Sequence, residues 1–381
     1  MSTLQPKRGD APTAGLSDLD PPRTRIAGAR RYAATVIGLV LLLALSTLAA
    51  SIALDPYRVL VPDRANLRNF EPNARAGKIA HLSAHDCTRF DGFMLGPSRA
   101  NFYPTQAVEQ AFGGHWYNMT VAGETVAGMY RRGVWLLRHC RPKQLVVTVD
   151  PLQFGWGPDY GSDLLRGEPP ETGGPSRPRF LLRYLFLPPQ AIWLAARELM
   201  FPRDLLYRLN LSDGTHYQRG ADLAAAGDAP PRHGHLAQVC HAPEPIRADY
   251  MAHNLALLAD LLAAARAEGV AVTVLAHPVN QNQLATLDFD QIAAWAEAVA
   301  RISDRLLFFG GFNAFSTNDA RFIDTSHFDE TLGQQVMRLV PGMSTTPPEG
   351  LIGLYTAATA PVLRQRLAAN LAERAARCAG S

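Results

Sequence analysis

An unbroken apolar run over residues 32–54, YAATVIGLVLLLALSTLAASIAL, is the longest hydrophobic pattern in the chain. A helix needs about 20 apolar residues to cross a bilayer, so this run predicts a transmembrane helix. Directly before it lie Arg23, Arg25, Arg30 and Arg31. Basic residues stay on the cytoplasmic side of a membrane. We therefore expect a single-pass anchor in the cytoplasmic (inner) membrane, with residues 1–31 as a disordered cytoplasmic tail and the main domain periplasmic or otherwise extracytoplasmic.

A cleaved signal peptide is the alternative interpretation of this segment, because small residues near its end resemble a cleavage site. The hydrophobic region of a signal peptide usually has about 7–15 residues and follows a short basic lead. Here the lead is 31 residues long and the apolar run is longer than that range. The pattern therefore favours an uncleaved anchor.

Beyond the anchor, short apolar runs alternate with segments whose apolar residues recur at helical spacing. The run LVVTVD is continuous and rich in β-branched residues, which is typical of strands buried on both faces of a parallel sheet. The alternation predicts a doubly wound α/β sheet covered by helices. The predicted strands are 90–96, 115–121, 145–150, 270–278 and 305–311, and the predicted helices are 104–112, 124–139, 250–267, 290–303 and one that begins after His327.

Composition shifts divide the extracytoplasmic part into four segments. Residues 55–88 lack periodicity and predict an irregular stalk, and residues 89–345 hold the α/β domain. Residues 151–245, rich in Pro and Gly, interrupt the alternation and predict an insertion with a few short helices and no clear buried strand. Such an insertion leaves from the carboxyl end of the third strand, where it either forms one wall of a pocket or is a structural flap. Residues 346–381 end in an Ala- and Arg-rich helix that we expect to pack on the domain.

The composition excludes several classes of function. A hydrophobic content of 47% is that of a globular protein with a core, and a net charge of +3 with no basic stripe gives no case for nucleic acid. The four cysteines lack the CxxC spacing of zinc sites, and a loose histidine cluster at 233–241 has no carboxylate or cysteine at ligand spacing. We therefore predict neither a metal nor a cofactor.

Two cysteines lie where the predicted sheet would bring them together. Cys87 precedes the first strand and Cys140 precedes the third, so both fall at the amino ends of their strands. Neighbouring strands there bring Cα atoms within the roughly 4.4–6.8 Å that a disulfide requires. The prediction is a Cys87–Cys140 disulfide, with Cys240 in the insertion as the competitor for either partner.

The stretch FMLGPSRANF, residues 93–102, ends a strand at Gly96 and presents Ser98 immediately afterwards. Gly, Pro and Ser are ordinary turn residues, so a plain turn is one interpretation. The other is a nucleophile held at the edge of a sheet. The stretch FIDTSHFDE, residues 322–330, carries the groups that such a nucleophile needs, because Asp324 can orient the imidazole of His327 and leave its second nitrogen free as a base.

Position favours the second interpretation. Ser98 follows the first predicted strand, and the Asp324–His327 pair follows the last. The carboxyl ends of parallel strands meet at one edge of the sheet, where ligands bind in open α/β folds. The sheet would therefore bring the base to the hydroxyl across more than 200 residues of sequence.

Together, GPSR (96–99), NMTVAGET (118–125) and DTSHF (324–328) resemble the SGNH (GDSL-type) hydrolase superfamily, and more narrowly its membrane-anchored relatives in polysaccharide O-acetylation, the alginate-type acetyltransferases and DltD-like proteins. The resemblance spans about residues 90–340. It implies a three-layer α/β/α flavodoxin-like fold and acyl esterase or O-acyltransferase chemistry on a cell-envelope glycan. Ser98 would be the nucleophile, His327 the base and Asp324 its partner. The backbone N–H groups of Ser98 and Gly123 would form the oxyanion hole.

The chain departs from the family pattern at two places. Pro97 stands where the aspartate of GDS usually lies, and the Gly-x-Asn-Asp block is replaced by TVDPLQF at 148–154. The asparagine of that block normally adds a side-chain donor to the oxyanion hole, and losing one such donor typically costs about 10²–10³ in rate. Asn118 is a candidate substitute, or else a turn residue. The departure leaves open a catalytically silent protein that binds a glycan or a partner within an envelope polysaccharide assembly.

Four further residues are candidates for substrate contacts, each with a structural alternative. Arg99 would bind an anionic group or pair with a carboxylate, and Asp150 would line the pocket or cap a turn. His277 ends the fourth strand at the same edge, where it would contact the substrate or have a structural role. Trp156 would stack on a sugar ring or pack in the core. Trp116, Trp135 and Trp193 are expected mainly in the core. The expected partners are an envelope polysaccharide or other acylated glycan and a membrane acyl-transfer protein.

Overall fold

A six-stranded sheet forms the centre of the computed structural model, and helices pack against both of its faces. The structure describes residues 23–61, 70–157, 163–201, 207–218, 245–324, 326–343 and 350–379. The strands are β1 (Gly92–Leu95), β2 (Trp116–Asn118), β3 (Gln144–Val149), β4 (Tyr207–Leu209), β5 (His216–Gln218), β6 (Ala271–Ala276), β7 (Leu306–Phe308) and β8 (Gly353–Tyr355). The helices are α1 (Arg23–Leu54), α2 (Ala74–Ala84), α3 (Thr105–Phe112), α4 (Val126–His139), α5 (Pro151–Phe154), α6 (Arg177–Leu185), α7 (Pro189–Met200), α8 (Ala248–Ala267), α9 (Gln281–Leu284), α10 (Phe289–Ile302), α11 (Glu330–Leu339) and α12 (Ala360–Ala379).

The strand order of the sheet is β2-β1-β3-β6-β7-β8. The first five of these strands pair in parallel, and β8 joins the edge antiparallel to β7. The five parallel strands are those that the hydrophobic alternation predicts, so the predicted α/β sheet is confirmed. Their carboxyl ends lie along one edge, which therefore collects the residues that follow each strand.

Alternate side chains of the strands enter two separate cores. Phe93 and Leu95 of β1 pack with α2, α4, α8, α10 and α12 on one face. Met94, between them, packs with α3 and α11 on the other face. Both faces are buried because a parallel strand has helices above and below it, which explains the near-continuous apolar runs in the sequence.

The described part of the chain contains one helix that is long and apolar enough to cross a membrane, the segment Gly28–Leu54 of α1. Its mean hydropathy is 2.5, and nearly all of it is exposed. The helix begins at Arg23, so the predicted boundary of the tail at residue 31 is too late. Arginine and alanine are good helix formers, and they extend the helix ahead of the apolar run. Residues 1–22 lie outside the described residues.

The irregular stalk predicted over residues 55–88 is wrong for its second half. That half contains α2, whose Ile79 and Leu82 are buried in the core. Asn73 caps the helix by accepting a hydrogen bond from the backbone N–H of Ala76 at 3.1 Å. The sequence of α2, ARAGKIAHLSA, is mostly small and polar, so its hydrophobic periodicity is too weak to identify it.

The C-terminal extension predicted over residues 346–381 also contributes to the sheet itself. Its strand β8 has three residues and begins with glycine, which leaves no strand pattern to recognise. The predicted packing of the last helix is confirmed, because Leu363, Leu367 and Leu371 of α12 are buried in the core.

The described part of the predicted insertion over residues 151–245 contains the helices α5, α6 and α7 and a small antiparallel pair of strands, β4 and β5. Leu209 of β4 packs against Ala74 of α2 and Val121 beyond β2, so the inserted strands cover the edge of the main sheet. Residues 219–244, which include the histidine cluster and Cys240, lie outside the described residues.

Cys87 and Cys140 form a disulfide, as the sequence predicts. Their Cα atoms are 5.1 Å apart. Cys140 ends α4 just before β3, and Cys87 begins a short 3₁₀ helix just before β1. The bond lies at the amino ends of the strands, away from the candidate site, and therefore acts on stability.

Replacing both cysteines by serine should lower the free energy of unfolding by about 4 kcal/mol, the chain-entropy estimate for closing a loop of this length. The linked residues are 53 positions apart. Urea denaturation of the full chain in detergent measures the loss. A reductant should shift the wild-type midpoint and leave that of the double variant in place. An unchanged wild-type midpoint after complete reduction contradicts the prediction.

Candidate active site

Ser98 emerges from the sheet at the end of β1, in a turn that only glycine allows. Gly96 has a φ of +154°, and a Cβ atom at this position would collide with the side chain of Thr148 on β3. Pro97 then directs the chain into a short 3₁₀ helix, Ser98–Phe102. The residues on either side of Ser98 are buried, whereas Ser98 itself is partly exposed. The turn therefore presents one hydroxyl at the carboxyl edge of the sheet.

The loop that carries Asp324 and His327 is fixed by its own backbone. Phe322 and Phe328 pair across the loop as a β-bridge, and both side chains are buried. The N–H of Ile323 donates to the carbonyl of His327 at 2.7 Å. These contacts join the two ends of the loop to each other and to the core, on either side of the two polar side chains.

The three predicted residues form a continuous hydrogen-bonded chain. Ser98 Oγ lies 2.8 Å from His327 Nε2, and His327 Nδ1 lies 2.8 Å from Asp324 Oδ2. Because a carboxylate only accepts, Nδ1 carries the proton and Nε2 accepts from the serine hydroxyl. The structure thus brings together residues 229 positions apart in the tautomer that a general base requires.

Asp324 is held ionised by the groups around it. Its Oδ1 accepts hydrogen bonds from the backbone N–H groups of Ser326 at 2.6 Å and His327 at 2.7 Å. Burial alone would raise the pKa of Asp324, but these bonds and the contact with the imidazole lower it to about 2. The carboxylate therefore stays negative across the neutral range and stabilises an imidazolium on His327.

The backbone beyond β2 runs alongside β1 toward Ser98. The N–H of Met119 donates to the carbonyl of Met94 at 2.8 Å, and the N–H of Val121 donates to the carbonyl of Gly96 at 3.1 Å. In extended chain, alternate N–H groups point to the same side. Beyond Val121 the chain enters a turn, in which Gly123 has a φ of +56°.

Neither the N–H of Gly123 nor that of Ser98 has an acceptor among the described residues. Backbone N–H groups near a serine nucleophile are the usual donors of an oxyanion hole. The role of these two amides as an oxyanion hole stays a prediction.

Lys78 of α2 binds the opposite side of this segment. Its Nζ donates to the carbonyls of Asn118 at 2.9 Å and Thr120 at 2.6 Å. The side chain is completely buried, and burial lowers the pKa of Lys78 to about 7. The two carbonyl groups stabilise the buried amine, and the amine supplies both of them with a hydrogen-bond donor.

Arg75, one helical turn before Lys78, continues the same pattern. Its Nη2 donates to the carbonyls of Ala122 at 3.0 Å and Gly123 at 2.7 Å. The two cations of α2 thus bind four carbonyls along the segment that ends at Gly123. Because those carbonyls point toward α2, the register of the whole segment beside Ser98 is fixed.

Asn118 lies at the end of β2, where its side chain organises the turn. Its Oδ1 accepts hydrogen bonds from both the backbone N–H and the hydroxyl of Thr120. Its Nδ2 is buried and has no acceptor within the described ranges. These contacts favour the turn role over the oxyanion role that the sequence also allows.

Arg99, Asp150 and His277 form a buried polar cluster beneath the triad. Arg99 donates through Nη1 to Asp150 Oδ2 at 2.7 Å and through Nε to the carbonyl of Ser326 at 3.1 Å. His277 Nε2 lies 3.3 Å from the same Asp150 oxygen. All three side chains are almost fully buried. They therefore join the ends of β1, β3 and β6 to the triad loop rather than face a substrate.

Burial would raise the pKa of Asp150, but the charge of Arg99 and the contact with His277 hold it well below its ordinary value. Burial lowers the pKa of His277 more than Asp150 raises it, so this imidazole stays neutral. The cluster is therefore one ion pair, Arg99 with Asp150, beside a neutral histidine. Asp150 stands at the carboxyl end of β3, where it caps α5.

Trp156 follows α5 and is partly exposed. Its carbonyl accepts a hydrogen bond from Asn254 Nδ2 of α8 at 3.0 Å. The structure therefore ties this residue to α8, and no described contact joins it to the triad.

Sequence reasoning missed Gln283, Arg75 and Lys78. Gln283 Oε1 accepts from Arg99 Nη2 at 3.2 Å, and the two cations of α2 hold the segment of Gly123. None lies in a motif. Their contacts span 40 or more residues of sequence, so only the fold reveals them.

Comparison of the chain with protein-family models, curated proteins and solved structures finds no match.

Removing either member of the buried pair should destabilise the protein strongly, because the partner stays buried without its counter-charge. Arg99→Met and Asp150→Asn should each cost about 3–5 kcal/mol of unfolding free energy. The double variant should lose less than the sum of the two losses. Urea denaturation in detergent measures all four proteins.

The exposed pair Arg266–Asp304, 3.0 Å apart, provides the matched control. Its removal should move the unfolding midpoint little, since exposed pairs contribute little. Strictly additive losses for Arg99→Met and Asp150→Asn would show that the two side chains do not act as a pair.

Proposed function

We propose that this protein is a membrane-anchored serine acyl esterase or O-acyltransferase of the SGNH type, acting outside the cytoplasmic membrane on a cell-envelope glycan. The observation that carries the proposal is the hydrogen-bonded chain Ser98–His327–Asp324, with 2.8 Å at both of its side-chain contacts. A serine hydroxyl is a weak nucleophile unless a base removes its proton, and an oriented imidazole within hydrogen-bond distance is that base.

The strand order supports the assignment of fold. Numbered along the chain, the five parallel strands stand in the order 2-1-3-4-5, which is the flavodoxin-like order. Helices cover both faces, and the Ser98–His327–Asp324 triad lies at the carboxyl edge, where such folds bind ligands. This arrangement agrees with the three-layer fold that the sequence resemblance implies.

The reaction would proceed through an acyl-enzyme. Ser98 Oγ attacks the acyl carbonyl carbon while its proton passes to His327 Nε2, and Asp324 stabilises the imidazolium. The backbone N–H groups of Ser98 and Gly123 bind the oxyanion of the tetrahedral intermediate. The bond between that carbon and the leaving oxygen then breaks, and His327 returns the proton to the departing alcohol.

The second half-reaction differs only in the acceptor. Water or a sugar hydroxyl gives its proton to His327 and attacks the acyl-enzyme, which releases Ser98. Water yields hydrolysis and a sugar hydroxyl yields transfer, and both use the same residues. In transfer, a membrane acyl-transfer protein is the proposed source of the acyl group.

The location of the substrate follows from the anchor. The helix Gly28–Leu54 has the length and composition to cross a membrane, and Arg30 and Arg31 lie near its beginning. Basic residues favour the cytoplasmic side, so the domain after residue 55 would be outside. The disulfide between Cys87 and Cys140 agrees with an oxidising compartment.

A silent glycan- or partner-binding protein is the second candidate, and one observation favours it. Asp150 occupies the end of β3 and is paired with Arg99. The asparagine of the Gly-x-Asn-Asp block therefore has no counterpart at this position. An oxyanion hole of two backbone amides would then have to suffice.

A fluorophosphonate probe should label the wild-type protein on Ser98, because only an activated serine attacks it. Ser98→Ala should abolish labelling, while Ser83→Ala, a change at an exposed serine of α2, should leave it intact. Asp324→Asn should slow labelling, since the base remains but is poorly oriented. Gel fluorescence and peptide mapping measure the modification.

Hydrolysis of an activated acetate ester tests whether the three residues act as a unit. The Ser98→Ala/His327→Ala double variant should be no slower than either single variant. Absence of labelling in the wild-type protein contradicts the enzyme and favours the silent binding protein.

The anchor has its own test. Alkaline phosphatase fused after Asp55 should be active, because it folds only outside the cytoplasm, and the same reporter fused after Arg31 should be inactive. The full-length chain should remain with membranes after a high-salt wash. A mature form that begins near residue 50 would show a cleaved signal peptide instead.

A further inference from the structure

Large apolar side chains are exposed on one element of the inserted region. We call residues 177–201, which form α6, α7 and their connection, the α6–α7 hairpin. Six of the eight large apolar side chains that are exposed outside α1 in the described ranges belong to it. They are Leu182, Phe186, Trp193, Leu199, Met200 and Phe201. An exposed apolar patch of this kind marks an interaction surface.

The core position predicted for Trp193 is wrong, because this side chain is 60% exposed. The opposite side of the hairpin is also apolar, and it packs against the rest of the protein. Phe180, Tyr184, Leu187 and Ala191 are buried and pack with Val59, just beyond α1. Both sides of the hairpin are therefore apolar, and the folded chain covers only one of them.

The hairpin packs directly against the end of the apolar helix. Contacts join α1 to both α6 and α7, and the N–H of Leu187 donates to Ser51 Oγ at 3.3 Å. Ala44, Thr47 and Leu48 are partly covered and Ser51 is buried, whereas most of α1 is exposed. These four positions form one stripe at helical spacing on the last three turns.

The depth of this stripe follows from the geometry of a helix. Ser51 lies twenty residues after Arg31. At about 1.5 Å per residue, those residues span about 30 Å, the thickness of the hydrocarbon core. If the charge of Arg31 stays at the inner boundary, the segment from Ala44 to Ser51 lies in the outer leaflet. An element that packs on that segment is therefore at the same depth.

We propose that the α6–α7 hairpin inserts its exposed apolar side into the outer leaflet of the membrane that α1 crosses, so that lipid is the partner of this surface. The inference rests on the proposed anchor and is independent of the proposed chemistry. Lipid is favoured over a protein partner because the hairpin packs on α1, and the exposed surface of α1 has the length and composition to meet lipid. The domain would then be held by two contacts, which restrict its tilt over the membrane.

The polar residues of the hairpin fit the same surface. Arg179 and Arg183 are exposed on α6 beside Leu182. Arginine at a membrane surface extends its charge toward the phosphates while its stem covers apolar area. Tryptophan concentrates at the same interface. An amphipathic helix with this composition lies in the plane of the interface, with its apolar side about 5–10 Å deep.

The test is quenching of Trp193 fluorescence in nanodiscs that contain the full-length protein and lipids with brominated acyl chains. The emission lost on Trp193→Phe isolates this residue from the other four tryptophans. Lipid brominated close to the headgroup should remove most of that emission, and unbrominated lipid should leave it intact.

Two further reporters, placed in the Trp193→Phe background, separate the hairpin from the anchor. Leu42→Trp lies in the middle of α1 and should be quenched by lipid brominated near the chain ends. Leu339→Trp, an exposed position at the end of α11 on the opposite face of the sheet, should not be quenched by either lipid.

Quenching at position 42 without quenching of Trp193 overturns the hairpin proposal and leaves the anchor in place. Absence of quenching at both positions overturns the anchor and the hairpin together. A Trp193 that is shielded from aqueous iodide but not quenched by brominated lipid is covered by protein, which also overturns the lipid proposal. None of these outcomes depends on whether Ser98 reacts with a probe.

Discussion

The buried ion pair between Arg99 and Asp150 holds the candidate site together. Arg99 follows Ser98 directly, Asp150 ends β3, and the same guanidinium donates to the carbonyl of Ser326 in the loop of His327. Three segments that are distant in sequence are thus fixed to one rigid group. A charge pair without solvent is costly unless its geometry and hydrogen bonds are complete, which explains why Asp150 also caps α5. The distance between Ser98 and His327 depends on this arrangement.

Two basic side chains that bind backbone carbonyls also hold the candidate site in place. Lys78 and Arg75 on α2 bind four carbonyls between Asn118 and Gly123, along the edge of the sheet. These bonds join α2 to the segment whose N–H groups at Met119 and Val121 donate to the end of β1. A serine hydroxyl, an oriented imidazole and free backbone amides are the parts that acyl transfer requires. The structure holds the hydroxyl in a turn between buried residues and the imidazole in a loop closed by the bridge between Phe322 and Phe328.

The apolar helix α1 and the candidate site are connected through the inserted region. It leaves the sheet after β3, next to Asp150, and its α6–α7 hairpin returns to pack on α1. The inserted region therefore contacts both the carboxyl edge of the sheet and the apolar helix. This relation is consistent with the proposed action of the protein close to a membrane surface.

The sequence by itself determined the elements with strong local patterns. The length of the apolar run predicts α1, continuous β-branched runs predict the parallel strands, and the residues after the first and last of these strands predict Ser98 and His327 as partners. These patterns are local because burial on a strand or helix repeats with a fixed period. The tertiary structure decided features that have no periodic pattern in the sequence. These are the pairing of Arg99 with Asp150, the binding of backbone carbonyls by Lys78, and the exposure of Trp193. Each of these features depends on which distant segment packs alongside the residue. For the hairpin of Trp193, the sequence pattern is the same whether its exposed apolar side meets protein or lipid.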